Sequence, residues 1–230
     1  MVRFDLHSHT TYSKHHFWGR DALNTPQEMV KSAMKRGLSG LAITDHQTVK
    51  GSLVAQEYVR SRKLKFKIIT GLEIKTTSGD LLGLGIKKDV PDNLSVEESI
   101  KRIHDLGGLA VAPHPYGEFG MRTCLKEKAI KADAIEVFNA GSCRAFQNKK
   151  ALDLAEKYKK SFSAGSDAHY YRDVGNAGII CEGDPLEAIR KNKVKIFGMY
   201  TPLNHIAMLT MKKFKRSIKY RILRKDVKIV

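Results

Sequence analysis

The chain is short of cysteine. Its three, Cys124, Cys143 and Cys181, stand far apart among 230 residues with no Cys-x-x-Cys spacing, which leaves neither a disulfide framework nor a cysteine zinc site and fits a reduced, cytoplasmic setting. Long apolar runs are missing too. No stretch reaches the roughly 18–20 residues of a membrane span, and residues 1–30 hold no apolar signal-peptide segment, so a soluble protein without a secretory signal is expected. There is no P-loop, no Gly-x-Ser-x-Gly and no glycine-rich dinucleotide fingerprint, so none of these competes with another chemistry. No low-complexity linker splits the chain. Acidic residues are scarce beside basic ones: 24 Asp+Glu face 41 Lys+Arg, a net charge of +17. That imbalance favours polyanionic substrates or partners through long-range attraction.

What is present is a series of short apolar runs, several followed by residue types that hold metals. Val2-Arg3-Phe4 leads into Asp5-Leu6-His7-Ser8-His9. In an extended segment alternate side chains share a face, so His7 and His9 project together and can hold one ion. Asp5 has the same parity, and is expected either to join them or to accept a ring N–H. Further runs end at Thr44-Asp45-His46, Gly71-Leu72-Glu73, Pro113-His114-Pro115 and Gly165-Ser166-Asp167-Ala168-His169. Thr25-Pro26-Gln27-Glu28 opens a helix with a capping box, and Ser95-Val96-Glu97-Glu98 repeats the pattern before a stop at Gly107-Gly108. Other helices are expected up to residue 63, over 144–158 and over 185–191. Strands are expected at 2–4, 40–44, 66–70, 81–86, 109–112, 134–138, 162–164, 177–181 and 195–198. Roughly seven of them alternate with helices, which argues for an α/β barrel or a doubly wound sheet. In both, residues just past the carboxyl ends of parallel strands face one shared site.

As an ordered set, the Asp5-x-His7-x-His9 opening, Thr44-Asp45-His46, the isolated Glu73, His114-Pro115 and the closing Asp167-x-His169 resemble the PHP superfamily of polymerase and histidinol phosphatase domains. The resemblance implies an α/β fold, a distorted (β/α)7 barrel over residues 1–200; residues 201–230, beyond its motifs, are expected to form a basic C-terminal helical extension. It further implies one metal on His7, His9, Glu73 and Asp167, a second on Glu73 and His114, and a third on His46, His169 and a residue of the 13–16 loop, with Glu73 bridging. His15 is the expected loop ligand and His16 its fallback, because Lys14 follows Ser13 where many members have Asp. Gly79-Asp80 stands where a Gly-His pair is frequent, so Asp80 is the expected substitute. These ligands outnumber those of one tetrahedral ion. Mixed imidazole and carboxylate groups suit zinc, manganese or iron better than magnesium or calcium. Two or three divalent ions are therefore expected.

Ions bridged by a carboxylate activate water and clamp a phosphoryl group, so the expected reaction is hydrolysis of a phosphate ester by a metal-bound hydroxide with no covalent intermediate. The basic charge directs the expectation toward nucleotides or short oligonucleotides. A histidinol-phosphate phosphatase is the alternative among enzymes, and a nucleic-acid-binding PHP module the alternative outside them. Asp45 is expected to support the site, Glu136 to hydrogen-bond a ligating histidine, and Arg144, with Arg20, Arg172 and Lys14, to meet phosphate oxygens, which a guanidinium matches bidentately. In the tail, Ala207, Met211, Phe214, Ile218 and Ile222 recur at spacings of three and four and form one helical stripe. The stripe is expected to dock on the barrel while the surrounding lysines and arginines bind a polyanion, most simply a nucleic acid strand.

Overall fold

The computed structural model describes residues 1–14, 22–117, 124–142, 144–205, 207–208 and 211–212. Among these the chain forms β1 (Val2–Asp5), α1 (Pro26–Lys35), β2 (Gly40–Ile43), α2 (Lys50–Ser61), β3 (Lys67–Lys75), β4 (Asp80–Leu84), α3 (Val96–Asp105), β5 (Leu109–Ala112), a 3-10 turn (Lys126–Lys131), β6 (Ala134–Asn139), α4 (Ala145–Lys157), β7 (Ser161–Gly165), β8 (Ala177–Cys181), α5 (Pro185–Arg190) and β9 (Lys195–Gly198). α1, α3 and α5 begin where a side chain satisfies their first N–H groups. Thr25 accepts from the Glu28 N–H while the Glu28 carboxylate accepts from the Thr25 N–H at 2.7 Å, a reciprocal cap on α1. Ser95 caps α3 by accepting from the Glu98 N–H. No helix among the described residues is long and apolar enough to cross a membrane.

One sheet runs in the order β7-β6-β5-β4-β3-β2-β1-β8-β9. β1, β2 and β3 pair in parallel, as do β5, β6 and β7, and β4 lies antiparallel between the two sets. A parallel bridge from Ser8 to Ala168 brings the exits of β1 and β7 together, with the His9 N–H donating to the Ala168 carbonyl at 2.9 Å. Seven strands thus form a nearly closed barrel, and the β8–β9 hairpin extends from β1 on its other side. Phe4, Leu6, Ala42, Ile69, Leu82, Leu84, Val111, Ala134 and Ala164, from all seven strands or their ends, form one buried cluster. Two more apolar clusters join the sheet to its helices, Leu41, Ile43 and Ile68 to α1 and α2, and Ala110, Ile135 and Val137 to α3 and α4.

The barrel agrees with expectation, and three details differ. Glu73 lies inside a nine-residue β3 rather than beyond a strand ending at residue 70, because β4 pairs along its whole distal half, from Gly71↔Leu84 to Lys75↔Asp80. β4 ends at Leu84, short of residue 86. In the tail, residues 203–205, 207–208 and 211–212 are helical, but Ala207 is exposed and Met211 is 59% exposed, so these two stripe positions do not dock on the barrel. Phe214, Ile218 and Ile222 lie outside the described residues.

Candidate metal centre

The carboxyl ends of β1, β2, β3, β5 and β7 deliver His7 and His9, His46, Glu73, His114, and Asp167 with His169 to one place. His7 Nε2 lies 3.1 Å from His9 Nε2, 3.4 Å from Glu73 Oε2 and 3.5 Å from Asp167 Oδ1, while His9 Nε2 lies 3.3 Å from each of the same two carboxylate oxygens. Glu73 also reaches His46 Nδ1 through Oε2 and His114 Nε2 through Oε1, both at 3.2 Å. The His9 ring stacks against those of both His46 and His169, with centroids 4.5 and 4.3 Å away. Three compact groups of donors follow: His7, His9 and Asp167; His7, Glu73 and His114; and His9, His46 and His169.

The donors are held from behind. His7 Nδ1–H donates to Glu136 Oε1 at 3.0 Å, which leaves Nε2 facing the other donors. Glu136 Oε2 accepts from the His114 N–H and from the Asn139 side-chain amide, both at 2.8 Å, and the same amide reaches Asp167 Oδ2 at 3.4 Å. His169 Nδ1–H donates to the Asp167 carbonyl. Asp45 binds no ring; it accepts from the Thr10 N–H and hydroxyl and from the Ser13 hydroxyl, and Ser13 in turn accepts from the His46 N–H. It fixes the segment from Thr10 to Ser13. His114 and Asp167 both have positive φ, 30° and 53°, the kind of strained backbone that gathers at functional sites.

Asp5 behaves differently from expectation. β1 ends there, and its carboxylate accepts N–H groups from His7, Ser166 and Gly175 and the Ser166 hydroxyl. Backbone N–H groups and a hydroxyl occupy its oxygens, so Asp5 neither joins the donors nor receives an imidazole N–H. It ties β1 to the segment after β7.

Charge in the cluster is balanced among its members. Burial opposes a proton on His7, but Asp167, Glu136 and Glu73 outweigh it and hold that pKa well above 6.5. Burial, helped by His169 and His46, lowers His9 to about 3. Burial pushes Glu73 upward, yet His46, His7 and His114 prevail and keep it well below the ordinary 4.5.

These donors suit a metal. Ligand atoms about 2.1 Å from a tetrahedral ion lie about 3.4 Å apart, and five of the six separations among His7, His9, Glu73 and Asp167 fall between 3.1 and 3.5 Å. A family model described as PHP domain matches residues 5–171. The chain belongs to the PHP domain family. Among relatives, the uncharacterized protein MJ1587 of Methanocaldococcus jannaschii is 35% identical over 167 residues, 70% of this chain and 96% of that one. A probable phosphatase of Caldicellulosiruptor bescii is 25% identical over 89% of this chain and 97% of its own. The 5'-3' exoribonuclease Rnm of Salmonella typhimurium is 40% identical over 75 residues, 33% of this chain and 23% of that one. The fold is shared with a two-domain protein of Bacteroides vulgatus that contains a predicted PHP-like metal-dependent phosphoesterase: TM-score 0.67, 16% identity, 86% of this chain and 64% of that one.

Not every residue expected from the PHP pattern joins the cluster. His15 and His16 lie outside the described residues. Asp80 opens β4 opposite Lys75, two positions beyond Glu73, and is in none of the three donor groups. Arg144 is exposed at the start of α4 with its guanidinium over the Phe146 ring. Asn139, which holds two carboxylates at once, carries no sequence signal beyond its place at the end of β6.

Proposed function

We propose that the protein hydrolyses phosphate esters of nucleotides or short oligonucleotides, assisted by two or three ions of zinc, manganese or iron. Family membership and the converged donors together make it a metal-dependent phosphoesterase. Glu73 carries the proposal: a single buried carboxylate within 3.4 Å of ring nitrogens of His7, His9, His46 and His114, with its two oxygens divided between them. Such a group can lie between neighbouring ions. His7, His9, Glu73 and Asp167 would hold one, Glu73 and His114 a second, and His46 and His169 a third with His15 or His9. Bound ions of this kind neutralise phosphoryl oxygens, make water more acidic and steady the leaving oxygen.

The chain's own groups do the rest. Glu136 keeps His7 Nε2 turned to the cluster, Asp45 holds the Thr10 to Ser13 loop against it, and Arg144 would meet phosphate oxygens from the rim. The net charge of +17 supports an anionic substrate larger than a simple monoester, and relatives named as an exoribonuclease and as a probable phosphatase support the two chemical classes. The test is elemental analysis of the purified protein with activity on histidinol phosphate, bisphosphate nucleotides and short oligonucleotides. At least two equivalents of metal and preferred turnover of the nucleotide substrates are expected. Turnover of histidinol phosphate alone would favour that phosphatase, oligonucleotide binding without turnover a binding module, and a metal-free, inactive protein would overturn the proposal.

A further inference from the structure

We propose that the rim of the metal centre carries a stacking platform for a nucleobase of a single-stranded nucleic acid, built from Phe146 and Tyr116 and bridged by Lys150. This assignment rests on the substrate class proposed above. Phe146, in the first turn of α4, is 49% exposed. One exposed apolar side chain is ordinary, but this one has company. The Lys150 ammonium lies 5.5 Å from the centre of the Phe146 ring and 5.8 Å from that of Tyr116, and the Arg144 guanidinium carbon lies 5.9 Å from the Phe146 ring. Tyr116 donates its hydroxyl to Glu127 at 3.2 Å, which holds its ring in place. Two rings and two cations therefore share one surface.

The patch is tied to the donor cluster through the chain after β5 and through the body of α4. Tyr116 stands two residues after His114. α4 presents Phe146 and Lys150 on its exposed face, and from its buried face Asn148 accepts from the Asn139 N–H and donates to its carbonyl, while the Asn139 side chain touches Glu136 and Asp167. Rings interleaved with cations are what single-strand binders use, because every base has an apolar face and every linkage a negative charge. A base next to the scissile phosphate would lie on Phe146, with the adjoining phosphates toward Lys150 and Arg144. A membrane surface would call for apolar side chains that insert, whereas here the ammonium group of Lys150 sits over the rings.

The test compares the metal-loaded protein with Phe146→Ala, Phe146→Trp and Lys150→Ala on a short oligonucleotide, on an abasic strand of equal length and on 4-nitrophenyl phosphate. Both positions are exposed, and circular dichroism checks the fold. Phe146→Ala should raise KM for the oligonucleotide about tenfold, Phe146→Trp should restore it, and neither should alter the abasic strand or 4-nitrophenyl phosphate. Lys150→Ala should raise the same KM and reduce its dependence on salt. An unchanged oligonucleotide KM in Phe146→Ala, or an equal rise with the abasic strand, overturns the platform and leaves the proposed function standing. If the wild-type protein turns over no oligonucleotide, the substrate class is wrong. Equilibrium binding of that oligonucleotide then decides the platform, which requires weaker binding by Phe146→Ala and is overturned by equal binding or none.

Discussion

Glu73 and Asp5 are both buried carboxylates, and their neighbours give them opposite work. Glu73 faces imidazoles that favour its charge. Asp5 faces N–H and hydroxyl donors that only partly offset burial, which pushes it up to about 6. An amide at position 5 would aim an NH2 group at donors, so Asp5→Asn should cost about 1–3 kcal/mol in chemical denaturation without direct loss of a metal donor. Removing a donor should do the reverse: His7→Ala or Asp167→Ala should abolish hydrolysis and lower metal content while circular dichroism stays near wild type. Full activity in either variant would sink the proposed site. The raised pKa of His7 also predicts a pH dependence. Its proton and a metal compete for Nε2, so metal uptake near pH 7 should release roughly one proton and weaken as pH falls. Calorimetry in buffers of different ionisation heat measures this, and His7→Ala should remove the release. The donors themselves were legible because each follows a short apolar run. The role of Asp5 was not, since its partners Ser166 and Gly175 come beside it only when the barrel closes, from more than 160 residues away in sequence.

At the scale of elements, the site depends on how closely β1 and β7 approach. A Cβ on Gly165 would lie 2.3 Å from the His7 Cβ and 2.7 Å from its backbone nitrogen. Gly165→Ala should therefore force the strands apart, lowering stability by about 1–3 kcal/mol and metal content with it. Thr25→Ala, which removes the cap of α1, should cost about 1 kcal/mol and leave metal content alone. Thermal denaturation with metal analysis separates the two outcomes. The caps of α1 and α3 could be read directly, being contained within four residues. The length of β3 could not, because Gly71 looks like a break until β4 is laid beside it. There a Cβ would meet the Gly83 carbonyl oxygen at 2.5 Å, so the glycine serves strand pairing.

At the scale of the molecule, the excess charge is concentrated toward the tail, whose Lys212 ammonium lies 4.8 Å from the Tyr170 ring, next to His169. Truncation after Pro202 should reduce oligonucleotide affinity and flatten its salt dependence, with turnover of a small monoester unchanged; precipitation, or unaltered binding, would make the tail structural. The barrel's class was legible from alternating runs, but its closure was not, because the Ser8 to Ala168 bridge joins segments that no local pattern connects. That bridge has a consequence for how the protein is made. His7 and His9 leave the ribosome long before Asp167 and His169, so loading of the groups they share must wait until the segment after β7 has been synthesised. Once shared across that seam, the ions would act as a clasp closing a loop of most of the chain's length, which costs an unfolded chain more entropy than a short one would. The step that completes the donor set would then also be the one that locks the barrel shut.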